Sequence, residues 1–311
     1  MKFIIDIIKG IFVGIANVIP GVSGGTMAVS FGIYDKILSS ISNIFKDFKK
    51  SIKTLLPIGI GMVLGIVGFS FIITILLKNQ PFVTASSFTG LILGGLPMII
   101  ASLKNGWKND TKKSVPINVI VFIIFTTIAV ILPFINGGED TGVLLTADIK
   151  TMVTVFFMGL IAAASMVIPG VSGSLVLMIL GYYFGVLASV KNFISALKDL
   201  NMSAMLEECK ILVPFALGCV VGIIFISKLI EWLFNHYVSA TYCGILGLIL
   251  ASPIAVYYKV QQEYDMLNSS IIQVAIGIIC LVLCIRLTLF IGKLDEKQET
   301  EKTSESKTDQ A

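Results

Sequence analysis

The sequence predicts an all-α integral membrane protein: an inverted-topology repeat in which each copy is a re-entrant helical hairpin plus three transmembrane helices. Three observations predict it. Hydrophobic residues make up 56% of the 311 and charged residues 14%, with a mean hydropathy of +0.94, far from soluble usage. Six stretches, 55–77, 82–102, 116–134, 211–234, 238–258 and 271–291, satisfy the roughly 20 mainly apolar residues that a membrane span requires. One motif occurs twice, as "ANVIPGVSGGTMAVS" at 16–30 and "SMVIPGVSGSLVLMI" at 165–179.

The repeat extends beyond the motif. Pro20 and Pro169 lie 149 residues apart, and Gly32-Ile33-Tyr34 matches Gly181-Tyr182-Tyr183 at the same offset. "LPIGIGMVLG" (56–65) matches "VPFALGCVVG" (213–222), and "GLIL" recurs at 90–93 and 247–250. Within these matches, Gly61/Gly65 and Gly218/Gly222 are small-x-x-x-small steps, read as helix-packing contacts. Four weaker apolar segments, 3–19, 22–44, 151–168 and 171–190, flank the motifs in pairs. The chain therefore divides into a first copy (1–148), a second copy (149–292) and a charged tail (293–311) with the composition of a disordered, solvated segment.

Five segments per copy leave the second copy upside down relative to the first. Lysine placement agrees, through the preference of cytoplasmic loops for Lys and Arg. Lys36, Lys46, Lys49, Lys50 and Lys53 follow Tyr34, and Lys104, Lys108, Lys112 and Lys113 follow Ser102. The connector holds Glu139, Asp140 and Asp148 with only Lys150, and Lys259 is outnumbered by Glu263 and Asp265. In 190–210, the counterpart of the first lysine-rich loop, Lys191, Lys198 and Lys210 are offset by Asp199, Glu207 and Glu208. Both termini are thus expected in the cytoplasm. Asp6 and Lys9 interrupt the first apolar run and no A-x-A-like site follows, so a cleaved signal peptide is not expected.

Inverted repeats with broken helices are a mark of secondary transporters, whose substrate site lies near the midplane. Each Pro-Gly-Val-Ser-Gly either turns a re-entrant hairpin or joins two ordinary kinked spans. In the first case, free N–H groups opening a helix, at Gly21, Gly24, Gly25, Gly170 and Gly173, together with the hydroxyls of Ser23, Thr26, Ser172 and Ser174, form an anion-binding concavity suited to phosphate. In the second, the serines are simple caps. Ionisable residues in apolar segments are further candidates. Arg286, the only arginine, either reaches a phosphate or snorkels to the interface. Lys228 and Glu231 either pair with each other or serve transport, with Glu231 the candidate coupling carboxylate. Lys9 can reach the interface or the first hairpin, and Asn17 offers a neutral polar contact before Pro20.

Other chemistries find little material. Five cysteines form no C-x-x-C pair and there is one histidine, His236, so neither a metal site, a cofactor nor a Ser-His-Asp triad is expected. A net charge of +4 gives no case for nucleic acid. No G-x-x-x-x-G-K-[ST] motif is present for ATP-driven pumping.

"GIANVIPGVSGGTMAVSFGIYDKI" and "ASMVIPGVSGSLVLMILGYY" resemble the paired signatures of the bacterial polyprenyl-phosphate transporter family, over about residues 1–291. The resemblance implies a multi-pass protein of the bacterial cytoplasmic membrane. It would move the lipid carrier undecaprenyl phosphate from the outer to the inner leaflet for reuse in cell-wall synthesis, with a proton or cation as possible coupling partner. The family pattern has an acidic residue where this chain has Asn17 and an arginine where it has Lys9, so no carboxylate or guanidinium role attaches to those positions. A small-anion carrier or channel fits the residues equally well. A lipid-phosphate phosphatase lacks its histidine and clustered arginines.

Overall fold

The computed structural model describes residues 2–19, 22–107, 114–135, 145–146 and 148–308. The expectations for Pro20 and Gly21 at the first motif, and for Lys108, Lys112, Lys113, Glu139 and Asp140 in the loops, lie outside the described residues. Among the described residues all regular structure is helical. The first half runs α1 (Lys2–Ala16), α2 (Gly24–Ser30), α3 (Tyr34–Ser42), α4 (Phe48–Asn79), α5 (Pro81–Gly94), α6 (Leu96–Trp107) and α7 (Ser114–Ile131). The second runs α8 (Ile149–Val167), α9 (Gly173–Ile179), α10 (Tyr183–Lys198), α11 (Met202–His236), α12 (Val238–Tyr264) and α13 (Ile271–Thr308).

Seven helical stretches among the described residues are long and apolar enough to cross a membrane. Six are the firm segments of the sequence. The seventh, Ile149–Val167, comes from the weaker set, and an eighth arises only if α9 and α10 are joined across a bend of 111°. Phe71, Ile124, Phe225 and Phe290 are exposed on these helices, as side chains are where lipid is the solvent. The chain is a multi-pass membrane protein. α5, α6 and α12 form its interior, with more than half of their apolar windows buried.

Two helix pairs flank that interior, α1 on α4 and α8 on α11, while α5 packs on α13 and α7 on α12, so each half reaches across to the other. Glycine sets the spacing of the flanking pairs. A Cβ on Gly61 or Gly65 would run into the carbonyl oxygen of Ile7 or Ile11 on α1. One on Gly218 or Gly222 would meet that of Phe156 or Leu160 on α8. Backbones this close gain dispersion contacts that larger residues forbid, which matters where lipid competes equally for apolar surface.

One expectation is corrected. The segments 22–44 and 171–190 are not single helices, because each breaks at a glycine with positive φ, +66° at Gly32 and +78° at Gly181. There the Ile33 N–H donates to the Ala28 carbonyl and the Tyr182 N–H to that of Leu177, both at 2.9 Å. This closing bond of a Schellman-type helix end needs a left-handed residue, which glycine adopts without steric penalty. At the other end of the chain, α13 runs to Thr308. No Gly or Pro follows Gly292, and the Glu, Lys and Gln found there are good helix formers.

Gly61→Val and Gly218→Val should each destabilise the protein by about 1–3 kcal/mol through overpacking. Gly68→Ala, where an added Cβ meets nothing within 4 Å, should not. Thermal unfolding midpoints in detergent check this, and equal midpoints for all three variants would remove the packing role.

Candidate functional site

Each motif stops one helix and starts a short one. α8 ends at Val167, and Ile168 turns extended (φ −70°, ψ 123°) ahead of Pro169, as the pre-proline position prefers. Ser23 and Ser172 then precede α2 and α9 in matching extended conformations, φ/ψ −97°/132° and −102°/122°. Neither hydroxyl caps its helix. The serine-cap reading of the motif is thereby corrected, and both hydroxyls are left for something else. With seven residues each, α2 and α9 are too short to build much macrodipole, so these side chains matter more than helix polarity.

The two motifs meet. The Gly170 N–H, at φ +78°, donates to the Thr26 hydroxyl at 2.6 Å. Gly25 lies against the backbone of Met166, Val167 and Pro169, where any Cβ would crowd the Val167 carbonyl at 3.0 Å. The Tyr34 hydroxyl, at the start of α3, donates to that same Val167 carbonyl at 3.0 Å. Ser30, at the end of α2, donates to the Ile92 carbonyl of α5 at 3.2 Å. Backbone groups stranded where the helices break are therefore taken up by side chains of the other copy or of the interior.

Beside this junction is a vestibule of about 500 Å³. Its walls come from both motifs (Asn17, Ser23 and Gly24; Ser172, Gly173 and Ser174), from Ala163 and Met166 of α8, from Tyr183 of α10, and from Phe215 and Cys219 of α11. Ser23 is 7% exposed, and its Oγ has no hydrogen-bond partner. A buried unsatisfied hydroxyl is unfavourable by about 1–3 kcal/mol, which sets Ser23 apart from the partnered serines of the second motif. Ser172 and Ser174 share one hydrogen bond at 2.8 Å, which leaves acceptor and donor capacity at that side. Asn17 donates to the Val13 carbonyl at 2.9 Å, keeping its amide oxygen available. Among the described residues no Lys or Arg lines the space, and the one carboxylate is Glu263 at the end of α12.

The structure brings together Ser23, Gly24, Ser172, Gly173, Ser174 and Asn17, and separates the other candidates. Thr26, Gly25 and Gly170 join the motifs rather than face the vestibule. Lys9 is fully buried and has an interaction partner, so its ammonium does not snorkel to the interface. Arg286 is exposed on α13 and away from the vestibule, where its long stem suits snorkelling. Lys228 is exposed and makes no ion pair with Glu231; Glu231 instead accepts a hydrogen bond from Asn43 at 3.0 Å, across the α3–α11 contact.

Four polar contacts of the first copy were not anticipated. Besides Tyr34 to Val167 and Asn43 to Glu231, Lys36 pairs with the buried Asp6 at 2.6 Å, and Tyr242 of α12 donates to Asp35 at 3.0 Å. All four hold α3 against its neighbours. The recurrence of Tyr34 as Tyr183 inside the matched Gly-x-Tyr was the one available signal.

A family model described as "VCA0040-like: Undecaprenyl phosphate translocase-like" matches residues 13–274. A polyprenyl-phosphate transporter of Staphylococcus aureus (strain NCTC 8325 / PS 47) is 31% identical over 298 residues, which cover 95% of this chain and 98% of that protein. Another polyprenyl-phosphate transporter, from Vibrio cholerae serotype O1 (strain ATCC 39315 / El Tor Inaba N16961), is 29% identical over 266 residues, covering 81% of this chain and 77% of that protein. No solved structure gives a significant match. With its two broken-helix motifs joined beside a polar vestibule, the chain belongs to the undecaprenyl phosphate translocase-like family.

Proposed function

We propose that the protein is a polyprenyl-phosphate transporter whose vestibule takes the phosphate headgroup. The observation that carries this is that the serines of both motifs, Ser23 from the first and Ser172 and Ser174 from the second, line one cavity, with the Ser23 Oγ left without a hydrogen-bond partner. Hydroxyl donors from the two copies, with the Asn17 amide beside them, supply hydrogen bonds that hydrocarbon cannot. A bare charged headgroup faces a desolvation penalty of many kcal/mol in hydrocarbon, and a wet polar pocket at mid-depth removes most of it. In this picture the two motifs are tips of re-entrant hairpins entering from opposite faces, and the copies are inverted in the cytoplasmic membrane of a bacterium with both termini inside. Broken backbone at depth is viable there because protein groups satisfy it.

Net movement runs from the outer to the inner leaflet, returning undecaprenyl phosphate for cell-wall synthesis. An inside-negative potential opposes this by about 2.3 kcal/mol per charge per 100 mV. A coupled proton or cation, or consumption on the cytoplasmic side, offsets it. Glu231 is the candidate coupling carboxylate, because its bond from Asn43 spans the two copies.

Two results are expected. In vesicles containing only this protein, the headgroup of polyprenyl phosphate should equilibrate between leaflets. Ser23→Ala and Ser172→Ala should each weaken headgroup binding from a few-fold to roughly a hundred-fold, one hydrogen bond being worth about 0.5–1.5 kcal/mol, or up to about 3 to a charged acceptor. Their double variant should be non-additive. Unchanged binding in all three would reduce the motif to a turn. Second, single cysteines in a cysteine-free background should label from the cytoplasm at 46–53 and from outside at 201–207; labelling of both from one face would remove the inversion.

A further inference from the structure

Next to the vestibule lies a second chamber, of about 340 Å³ and almost wholly apolar. The two share Asn17, Gly24, Ala163 and Met166, so the polar and apolar spaces adjoin at the motif tips. The chamber runs between α3 and α4 on one side and α8 and α11 on the other, past Ile41, Met62 and Ile223. Gly59 of α4 opens its wall, since a Cβ there would meet nothing within 4 Å. A larger apolar groove of about 470 Å³, bounded by α7, α11 and α12, has no residue in common with the vestibule.

We propose that this chamber holds the first isoprene units of the lipid tail while the phosphate occupies the vestibule, the remainder of the chain running out between the helices into the bilayer. The proposal rests on the headgroup reading above and adds the site that makes the substrate a lipid rather than a soluble anion. A head held at Ser23 places the first carbons at the shared residues, and only the chamber beside them offers apolar surface to bury.

The test compares polyprenyl phosphate with methyl phosphate. Wild-type protein should bind the polyprenyl lipid far more tightly. Gly59→Phe should weaken it roughly tenfold or more while leaving methyl phosphate within about twofold, and Thr241→Phe in the separate groove should change neither. Ser23→Ala should weaken both ligands. Equal affinity of wild type and Gly59→Phe for the lipid overturns the chamber and leaves the headgroup site standing; binding of neither ligand by wild type removes the headgroup reading itself. Independently of any variant's folding, polyprenyl phosphate with a photoreactive group on its first isoprene unit should crosslink to α4 and α11 around Gly59 and Ile223, and crosslinks confined to α7 and α12 also overturn it.

A different observation carries a second inference. Tyr34 and Tyr183 match at the 149-residue offset, as do Val18 and Val167, and Asn43 and Asn192. Tyr34 is bonded to Val167, whereas Tyr183 lines the vestibule beside Val18. Asn43 reaches across the copies to Glu231, but Asn192 bonds Glu208 within its own copy at 3.0 Å. α3 thus closes against α11 of the other half, while α10 packs along α11 of its own. The geometry points to a two-state exchange: the state with Tyr34 on Val167 opens the vestibule toward the α10 face, whose Tyr183 lines it, and the opposite state forms when Tyr34 releases Val167 and Tyr183 donates to the Val18 carbonyl.

Cys219 lines the vestibule and serves as reporter in a variant retaining it alone. Loss of one hydrogen bond should shift the state ratio roughly two- to tenfold. Tyr34→Phe should lower labelling by an impermeant thiol reagent from the α10 face, Tyr183→Phe should raise it, and the double variant should return toward wild type. Shifts in the same direction, or none in either variant, overturn the exchange whatever anion is carried.

Discussion

The helix breaks at the two motifs leave backbone N–H and C=O groups outside the helical hydrogen-bond ladder. Each such group is unfavourable by several kcal/mol in hydrocarbon. This constraint organises the molecule. The Gly170 N–H finds Thr26, the Val167 carbonyl finds Tyr34, and Ser30 ties the short α2 to Ile92 of the interior. Neither motif could be satisfied in isolation. Closing the junction requires both copies, and the close-packed pairs α1–α4 and α8–α11 hold them in place through glycines that let backbones touch. The vestibule is what remains beside a junction in which almost everything else polar has been matched.

Much of this was legible in the chain. The six firm spans all appear as helices, with α4 and α11 extending seven and nine residues ahead of their apolar runs, because continuous apolar runs of that length have few alternatives. The glycine pairs at 61/65 and 218/222 have the packing role that their spacing suggested. Tertiary context decided the rest. Thr26 reads as a candidate ligand, yet it is spent on Gly170, and nothing local distinguishes it from Ser23. Arg286 sits in a helix apolar on every side, so the pattern offers no phase from which to tell which face it takes. The breaks at Gly32 and Gly181 were visible as matched residues, but a glycine inside an apolar run signals packing as readily as a helix end.

The halves share an architecture and differ in chemistry. Asp6, Lys9, Asp35 and Lys36 of the first copy correspond, at the 149-residue offset, to Val155, Met158, Phe184 and Gly185 of the second. Polar contacts therefore hold α3, and α10 has few equivalents. Divergence of this kind is how a duplicated unit acquires a preferred state: symmetry supplies two related arrangements, and side chains that break it set their relative populations.

The vestibule walls offer hydroxyls and an amide, with Glu263 and no basic side chain among the described residues. A guanidinium facing an anion in low dielectric would make a deep well, and a deep well at mid-path slows exit as much as it helps entry. Neutral donors give a shallow one. Flux through a carrier is governed by the span between its lowest and highest points rather than by the depth of any one site, so weak and evenly spread attachment is a kinetic advantage. In the proposed headgroup role, discrimination comes from shape and hydrogen-bond number, and a lining suited to passing a phosphate on quickly is poorly equipped to retain it.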